Sequence, residues 1–313
     1  MLDTTTRQVQ WELEVPNTPA GITRLLARTP VTVPWVVEPT GRYSLGVARQ
    51  ATAAQRSVLL AQPRKAKAFL SSLSARAKTD RLDSRGLAMY GSCATLAPYP
   101  LKSEAMDQLD QLLAARRGLA DALMRLRQQQ GELPYAAAAL EPSIASLAVQ
   151  LRDVTRQVVV RATAAASVDG FPMVAALDGV PGIGSVTAAA LASCLTAQSF
   201  PTPDAYVAYV GLDVRVRDSG KHRGQRKLTK QGNAELRRLL YLCAQASLRH
   251  KDPVFREQYE RERAKGLTST AALCAVARKM AKLAWSMVRH QTSFDTQRVY
   301  EQPDRQKKAA PTP

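Results

Sequence analysis

The sequence predicts an α/β N-terminal domain, a helical, coiled-coil-like middle and a mostly α C-terminal domain with a helix-hairpin-helix. Three observations carry this. Strand-like and helix-like stretches alternate up to about residue 96. Two long runs of leucine, isoleucine and valine then repeat at alternating spacings of four and three. After Phe171 short helical stretches are separated by Gly and Pro punctuation. The expected domains are 1–96, 97–170 and 171–296, followed by a polar, Pro-containing tail at 297–313 expected to lack a packed core.

In order, Val9, Trp11, Leu13 and Val15 alternate with polar residues and predict a half-buried strand. Thr18 to Arg28 reads as a helix, and Val31 to Val37 as a β-rich stretch ending at Glu38. Pro39-Thr40-Gly41 makes a turn into a helix reaching about Ala54. Val58 to Ala61 is a short strand, Arg64 to Leu73 a helix, and a further helix starts near Asp80. Strands alternating with helices imply a partly parallel sheet, whose sites form at carboxyl ends of strands, where Glu38 falls. Pro98 and Pro100 mark the boundary. Leu109, Leu112, Arg116, Leu119, Leu123 and Leu126, then Ile144, Leu147, Leu151, Val154 and Val158, form a seam broken between Gly131 and Pro142. That seam fits either an intramolecular helical pair or a dimerisation arm.

The chain has 313 residues, 45% of them hydrophobic, which is enough for two or three modest cores. Lys and Arg number 44 against 26 acidic residues, a formal charge of +18 that favours a polyanionic partner, nucleic acid before an anionic membrane. The cysteines, Cys93, Cys194, Cys243 and Cys274, include no CxxC pair, and no two histidines are spaced as metal ligands. A structural zinc is thereby disfavoured, and the cysteines read as small core residues. With no leader-like or membrane-spanning run, the expected location is the cytoplasm, at the nucleoid.

Asp80 and Asp83 stand three residues apart at a predicted helix start, on one helix face. Two such carboxylates repel unless a cation, a shared proton or water separates them, and Mg²⁺ is typically held by one or two carboxylates plus substrate phosphates. Leu177 to Gly184 leads into a helix from Ser185 to Leu195, the form of a helix-hairpin-helix. Gly182 and Gly184 would let backbone approach a phosphate at a helix start without reading bases. Between Arg215 and Lys230, the cations Arg215, Arg217, Lys221, Arg223, Arg226, Lys227 and Lys230 face a single acid, Asp218. Interleaved with glycine on a loop, they suit a phosphate backbone. Ser219 lies within this run, with His222 the nearby imidazole. By composition alone Ser219 is a turn residue.

Several of these stretches, in this order, resemble insertion-sequence transposases of the 110/116/902 family, relatives of the Piv DNA invertase and of bridge-RNA-guided recombinases. In the first half the likeness is carried by Val36-Val37-Glu38-Pro39-Thr40-Gly41-Arg42-Tyr43 and Lys78-Thr79-Asp80-Arg81-Leu82-Asp83. In the second it is carried by Val180-Pro181-Gly182-Ile183-Gly184, Tyr209-Val210-Gly211-Leu212, Asp218-Ser219-Gly220 and Lys230-Gln231-Gly232-Asn233. Leu236-Arg237-Arg238-Leu239-Leu240-Tyr241 and Ala275-Val276-Ala277-Arg278-Lys279 continue it.

The resemblance implies an RNase H/RuvC-like fold for the first domain. It also implies an Asp-Glu-Asp-Asp site for Mg²⁺ or Mn²⁺, with Glu38 as the second member, Asp80 and Asp83 as the last two, and Asp3 aligning with the first. The family's first Asp lies inside a strand. Here only Met1 and Leu2 precede Asp3, so the expected first strand is almost absent. It further implies Ser219 as nucleophile, DNA as substrate, a dimer or tetramer, and a structured guide RNA. Alternative readings are a metal-dependent nuclease or junction resolvase that hydrolyses DNA with water, and a truncated, non-catalytic nucleic-acid-binding remnant.

Overall fold

The computed structural model describes residues 1–73, 79–165, 167–168, 170–215, 218–219, 222–223, 227–250 and 253–296. The chain divides into two compact units, Met1–Leu101 and Lys102–Pro313.

The first unit is built on helix α1 (Pro19–Arg28), strand β1 (Trp35–Val37), helix α2 (Arg42–Ala53), strand β2 (Val58–Leu60) and helices α3 (Pro63–Ser72) and α4 (Asp80–Cys93). β1 and β2 pair in parallel, Trp35 opposite Val58 and Val37 opposite Leu60, with α2 as the crossover. The side-chain alternation of β1 divides the core between two faces. Trp35 and Val37 pack with Ile22, Ala48, Ala51 and Val58 on the α1/α2 side. Val36 packs with Phe69, Leu87 and Tyr90 on the α3/α4 side. Segment 97–99 runs antiparallel beside β2, where Leu60 N–H donates to Ala97 O and Tyr99 N–H to Val58 O, both bonds 2.9 Å or shorter. α4 crosses β1 closely because position 91 is glycine: a Cβ there would meet Val36 Cγ2 at 2.4 Å.

Two expected strand stretches differ from what forms. Val9 to Val15 is not a strand; only Val9 bridges, to Leu2. Residues Met1–Asp3 fold back on Gln8–Trp11, with the terminal ammonium on Trp11 O at 2.6 Å and Asp3 N–H on Gln8 O at 2.9 Å. Val31–Pro34 forms a turn, and β1 starts only at Trp35, because Pro34 has no N–H to offer a ladder. Where the resemblance implies an RNase H-like sheet, the described residues of this unit hold one parallel β-α-β pair with an antiparallel edge segment.

The second unit opens with a helical hairpin, α5 (Glu104–Glu132) and α6 (Ala137–Ala165), joined through a 3₁₀ turn at Pro134–Ala136. Contacts Gln108–Arg161, Arg116–Thr155 and Gln130–Glu141 step in opposite directions along the two helices, which fixes the antiparallel register. The break is narrower than the sequence predicts, since Pro142 lies inside α6. Met106, Leu109, Val158 and Ala162 join the main core, whereas Leu123 and Ile144 are buried outside it, further along the hairpin.

A short ladder of β3 (Ser167–Val168) and β4 (Phe171–Pro172) leads into α7 (Met173–Asp178), α8 (Ser185–Ala197) and α9 (Pro203–Val210). α8 is buried from Thr187 to Cys194. Its Ala-rich sequence lets α5, α6, α7, α10 (Ala234–Ser247) and α12 (Ser269–His290) close around it. α11 (Val254–Ala264) packs on α12. Thr202, Asn233 and Thr268 cap α9, α10 and α12 through their side-chain oxygens. Between α9 and α10 the chain runs out and back through β5 (Val214–Arg215), β6 (Asp218–Ser219), β7 (His222–Arg223) and β8 (Lys227–Leu228). Among the described residues no helix is long and apolar enough to cross a membrane. The expected tail at 297–313 lies outside the described residues.

Candidate functional site

In the first unit, Thr79 caps α4, its Oγ1 accepting from Leu82 N at 3.3 Å. Asp80 and Asp83 therefore occupy the first helical turn, where the unpaired N–H groups favour carboxylates. Asp80 is exposed and Asp83 half-buried. Glu38 follows β1 directly and is half-buried at the strand's carboxyl end.

The same turn of α4 is gripped by a residue that sequence reasoning missed. Glu12 accepts from Arg85 Nε and Nη2 and from Arg81 Nε, the last at 2.6 Å. The Arg85 hydrogen bonds, with those of Arg81, hold the Glu12 carboxyl down at about 2. In sequence, Glu12 looked like an outward-facing polar position of an alternating strand.

Asp3 is engaged elsewhere. Its Oδ1 accepts from the backbone N–H of Thr5 at 2.8 Å and Thr6 at 3.0 Å, and its Oδ2 from Gln10 Nε2 at 3.3 Å. These bonds, the Thr6 amide foremost, lower its pKa, as expected for an Asx turn. Among the described residues no three His, Cys, Asp or Glu side chains stand together as a metal-holding group. Asp3, Glu38, Asp80 and Asp83 are thus not gathered as a group of three or more.

In the second unit, β5 pairs antiparallel with β8 and β6 with β7, so the described residues between Val214 and Leu228 form two antiparallel ladders, one inside the other in sequence, here called the arm. Ser219 lies in β6, with His222 as its register partner, and Asp218 faces Arg223. Of the predicted phosphate-binding cations, Arg215 and Lys227 are exposed Cα partners in the ladder. Like charges directly opposite one another disfavour a ladder, so this pair is costly without an anion. Lys230 is exposed and has φ +52°, in the left-handed region. Arg217, Lys221 and Arg226, and the side chains of Ser219 and Arg223, lie outside the described residues.

The root of the arm is built from two of the quoted motifs. Gly211 ends α9 with φ +76°, its N–H donating to Val207 O at 3.0 Å. Gly232 packs onto this turn, and Asn233 N–H donates to Tyr209 O at 2.9 Å before Asn233 caps α10. Thr229 N–H donates to Asp213 O at 3.0 Å, and its hydroxyl to Asp213 Oδ1. Arg237 Nη1 and Arg278 Nε donate to Val210 O and Leu212 O, each at 2.9 Å. Sequence reasoning quoted Arg237 and Arg278 but gave them no role. Their signal was an arginine set among residues that become buried, such as Leu236, Leu239 and Ala277.

The Pro181–Gly184 turn sits between α7 and α8. Gly182 has φ +89°, and a Cβ there would lie 2.6 Å from Cys243 O and 2.8 Å from Ser247 N. The close backbone approach that this glycine permits is therefore to α10 within the same unit. Gly184 is exposed with open space around its Cα, and no side chain caps α8.

Residues 1–133 match a DEDD transposase family of IS110 elements, described as "Transposase". Residues 174–260, which include the whole arm, match the family described as "Transposase IS116/IS110/IS902 family". Together they span well over half of the chain. The chain is 31% identical over 156 residues to an insertion element IS110 uncharacterized 43.6 kDa protein of Streptomyces coelicolor, half of this chain but only 38% of that protein. It is 26% identical to a pilin gene-inverting protein of Moraxella bovis, over 85% of this chain and 83% of that one. A 42 kDa protein of insertion element IS900 from Mycobacterium paratuberculosis shares 35% over 91 residues, 23% of its length. The chain belongs to the IS110/IS116/IS902 transposase family.

Proposed function

We propose that this protein is a DNA transposase or site-specific recombinase that cuts and rejoins strands through Ser219. The observation that carries the reading is the arm: the segment holding Ser219 is rooted by the Tyr209–Leu212 and Lys230–Asn233 motifs and lies inside the transposase-family match. The pilin gene-inverting relatives, aligned over most of both chains, support DNA inversion or transposition as the reaction class. The formal charge of +18 supports a polyanionic substrate.

In this reading Ser219 Oγ attacks phosphorus, and an Oγ–P bond replaces one P–O bond to deoxyribose. That deoxyribose oxygen leaves as a hydroxyl after taking up a proton. A hydroxyl from the incoming strand then attacks the same phosphorus, re-forming a phosphodiester and restoring Ser219. Because the bond energy is kept in the protein–DNA ester, rejoining needs no external energy source. Backbone phosphates are held by Arg215, Lys227 and Lys230, by Arg217, Lys221, Arg223 and Arg226 of the same arm, and by the open turn at Gly184. As in the family resemblance, a structured RNA selects the DNA partners, and the protein acts as an oligomer. The DEDD transposase match supports use of a divalent ion, Mg²⁺ or Mn²⁺, which Glu38, Asp80 and Asp83, with Asp3, would hold and which would stabilise charge at phosphorus.

The test is a recombination assay on a DNA pair carrying the element ends, with and without the element's RNA. Ser219→Ala should abolish recombination and the protein–DNA adduct seen on denaturing gels. Cleavage by the wild type with no adduct would instead identify a water-using nuclease. Recombination without RNA would remove the guide from the reading.

A further inference from the structure

Two guanidiniums from the helical core and the backbone of Lys230, the last cation of the arm, meet at one turn at the arm's root. Arg237 from α10 and Arg278 from α12 each spend one N–H on the carbonyls of Val210 and Leu212, at 2.9 Å. Gly211, between those two residues, is the common floor. A point built at its Cβ position is 2.6 Å from Arg237 Nη1 and 3.1 Å from Lys230 C. The guanidinium and the Lys230 backbone therefore flank the same spot, and Lys230 holds a left-handed φ of +52° there. Strained backbone of this kind persists where the surroundings impose it, often at ligand sites.

The cluster is not neutralised from within. Among the described residues neither Arg237, Arg278 nor Lys230 forms an ion pair with a carboxylate. Asp213, just after the turn, is engaged by Thr229, and Glu235, two residues before Arg237, pairs instead with Arg238 and Arg117. A guanidinium has five donors, so one carbonyl bond leaves most of each fork for an anion. Burial raises the pKa of the Cys274 thiol, half-buried on α12, and the charges of Arg278, Lys230 and Arg237 oppose that rise.

We propose that Arg237, Arg278 and Lys230 form a seat for one phosphodiester group of a DNA strand at the root of the arm that carries Ser219. The seat rests on the strand-exchange reading given above. It adds a fixed point on the helical core, so that strand and arm share one anchor. Two rigidly held guanidiniums also suit the planar, bidentate recognition of a phosphate.

The experiment uses the full chain with a short duplex DNA and a same-sequence RNA duplex, followed by iodoacetamide footprinting and mass spectrometry. Exposed Cys93 is the internal control, while Cys194 and Cys243 are buried. DNA should slow alkylation of Cys274 by roughly fivefold or more, because a phosphate seated on these cations cancels the positive field that favours its thiolate. Cys93 should be unaffected. Arg237→Gln with Arg278→Gln should lower the salt slope of DNA binding by about one unit, the share of one phosphate, whereas the double Lys variant should keep the slope. DNA binding that leaves Cys274 unprotected overturns the seat and leaves the strand-exchange reading standing. Absence of salt-dependent DNA binding in the wild type removes both. Protection by RNA and not by DNA overturns the DNA assignment. The footprint on the wild type needs no variant, so a poorly folding Gln variant does not affect it.

Discussion

Gly232 is packed against Gly211 so tightly that a Cβ on Gly232 would lie 2.1 Å from Tyr209 O and 2.8 Å from Gly211 N. Both obstacles are backbone, so neither can rotate away. Gly232→Ala must push α9's terminal turn off α10 and should cost about 2 kcal/mol or more, in the range of overpacking changes. Gly211→Ala adds left-handed strain, about 1 kcal/mol, to contacts with Arg237 Nη1 at 2.6 Å and with the Gln231 and Lys230 backbone at 3.1 Å, looser than the backbone contacts of Gly232, and should cost less. Denaturant midpoints of the two variants check this order. If Gly232→Ala matches the wild type, the two motifs do not meet as described.

The two glycines of the Pro181–Gly184 turn should respond oppositely. Gly182 has φ +89° and faces Cys243 O and Ser247 across a gap too small for a methyl group. Gly182→Ala should therefore destabilise by about 1–3 kcal/mol. Gly184 has an ordinary φ of −96° and free space, so Gly184→Ala should change stability by under about 0.5 kcal/mol. A phosphate on this turn would show as weaker DNA binding by Gly184→Ala at unchanged stability.

The Glu12 clamp makes the first unit acid-sensitive. Arg85 and Arg81 hold the Glu12 carboxyl at about 2, below its ordinary 4.5. A depressed carboxylate contributes its full stabilisation above the unfolded value and loses it as pH falls toward the folded value. Glu12→Gln should thus be less stable than wild type at pH 7, and the gap should close between about pH 4.5 and 2. Amide exchange across Arg81–Arg85 should speed up in the variant at neutral pH. A gap that stays constant down to pH 2 would mean that the arginines do not hold Glu12.

What was legible in the sequence follows from local rules. The helix starts at Pro19, Asp80, Pro203 and Ala234 carry Thr or Asn caps whose oxygens bond the first turn. The parallel pair was readable because Val36-Val37 and Val58-Leu59-Leu60 are apolar and flanked by turn residues. The basic arm was not readable as strands, since Val214 and Leu228 are the only apolar residues at its described ladder positions. The sequence does mark Gly182 and Gly232 as close-approach points. It cannot say whose backbone approaches, and both are filled by this chain's own carbonyls or amides. Asp3 illustrates the same limit: a carboxylate at the expected place in sequence is spent on two amides of its own turn.

Two neighbouring tyrosines of α9 give the final prediction. Tyr206 is fully buried, and its hydroxyl has no hydrogen-bond partner among the described atoms. Its ring packs on Phe200 at 5.0 Å, a contact that phenylalanine keeps. Tyr206→Phe therefore removes only an unsatisfied polar atom and should be neutral or stabilising by about 1 kcal/mol. Tyr209 differs, because burial pushes its hydroxyl up to about 12 while Cys194 and Asn233 act on it as polar neighbours. Asn233 also caps α10 beside the arm. Tyr209→Phe takes a polar neighbour from Asn233 and Cys194 and should cost about 1 kcal/mol. Thermal melts of the two variants should shift in opposite directions, or in Tyr209→Phe alone. A Tyr206→Phe variant less stable than Tyr209→Phe would show that the buried hydroxyl has a partner, and that α9 is held differently from the packing described.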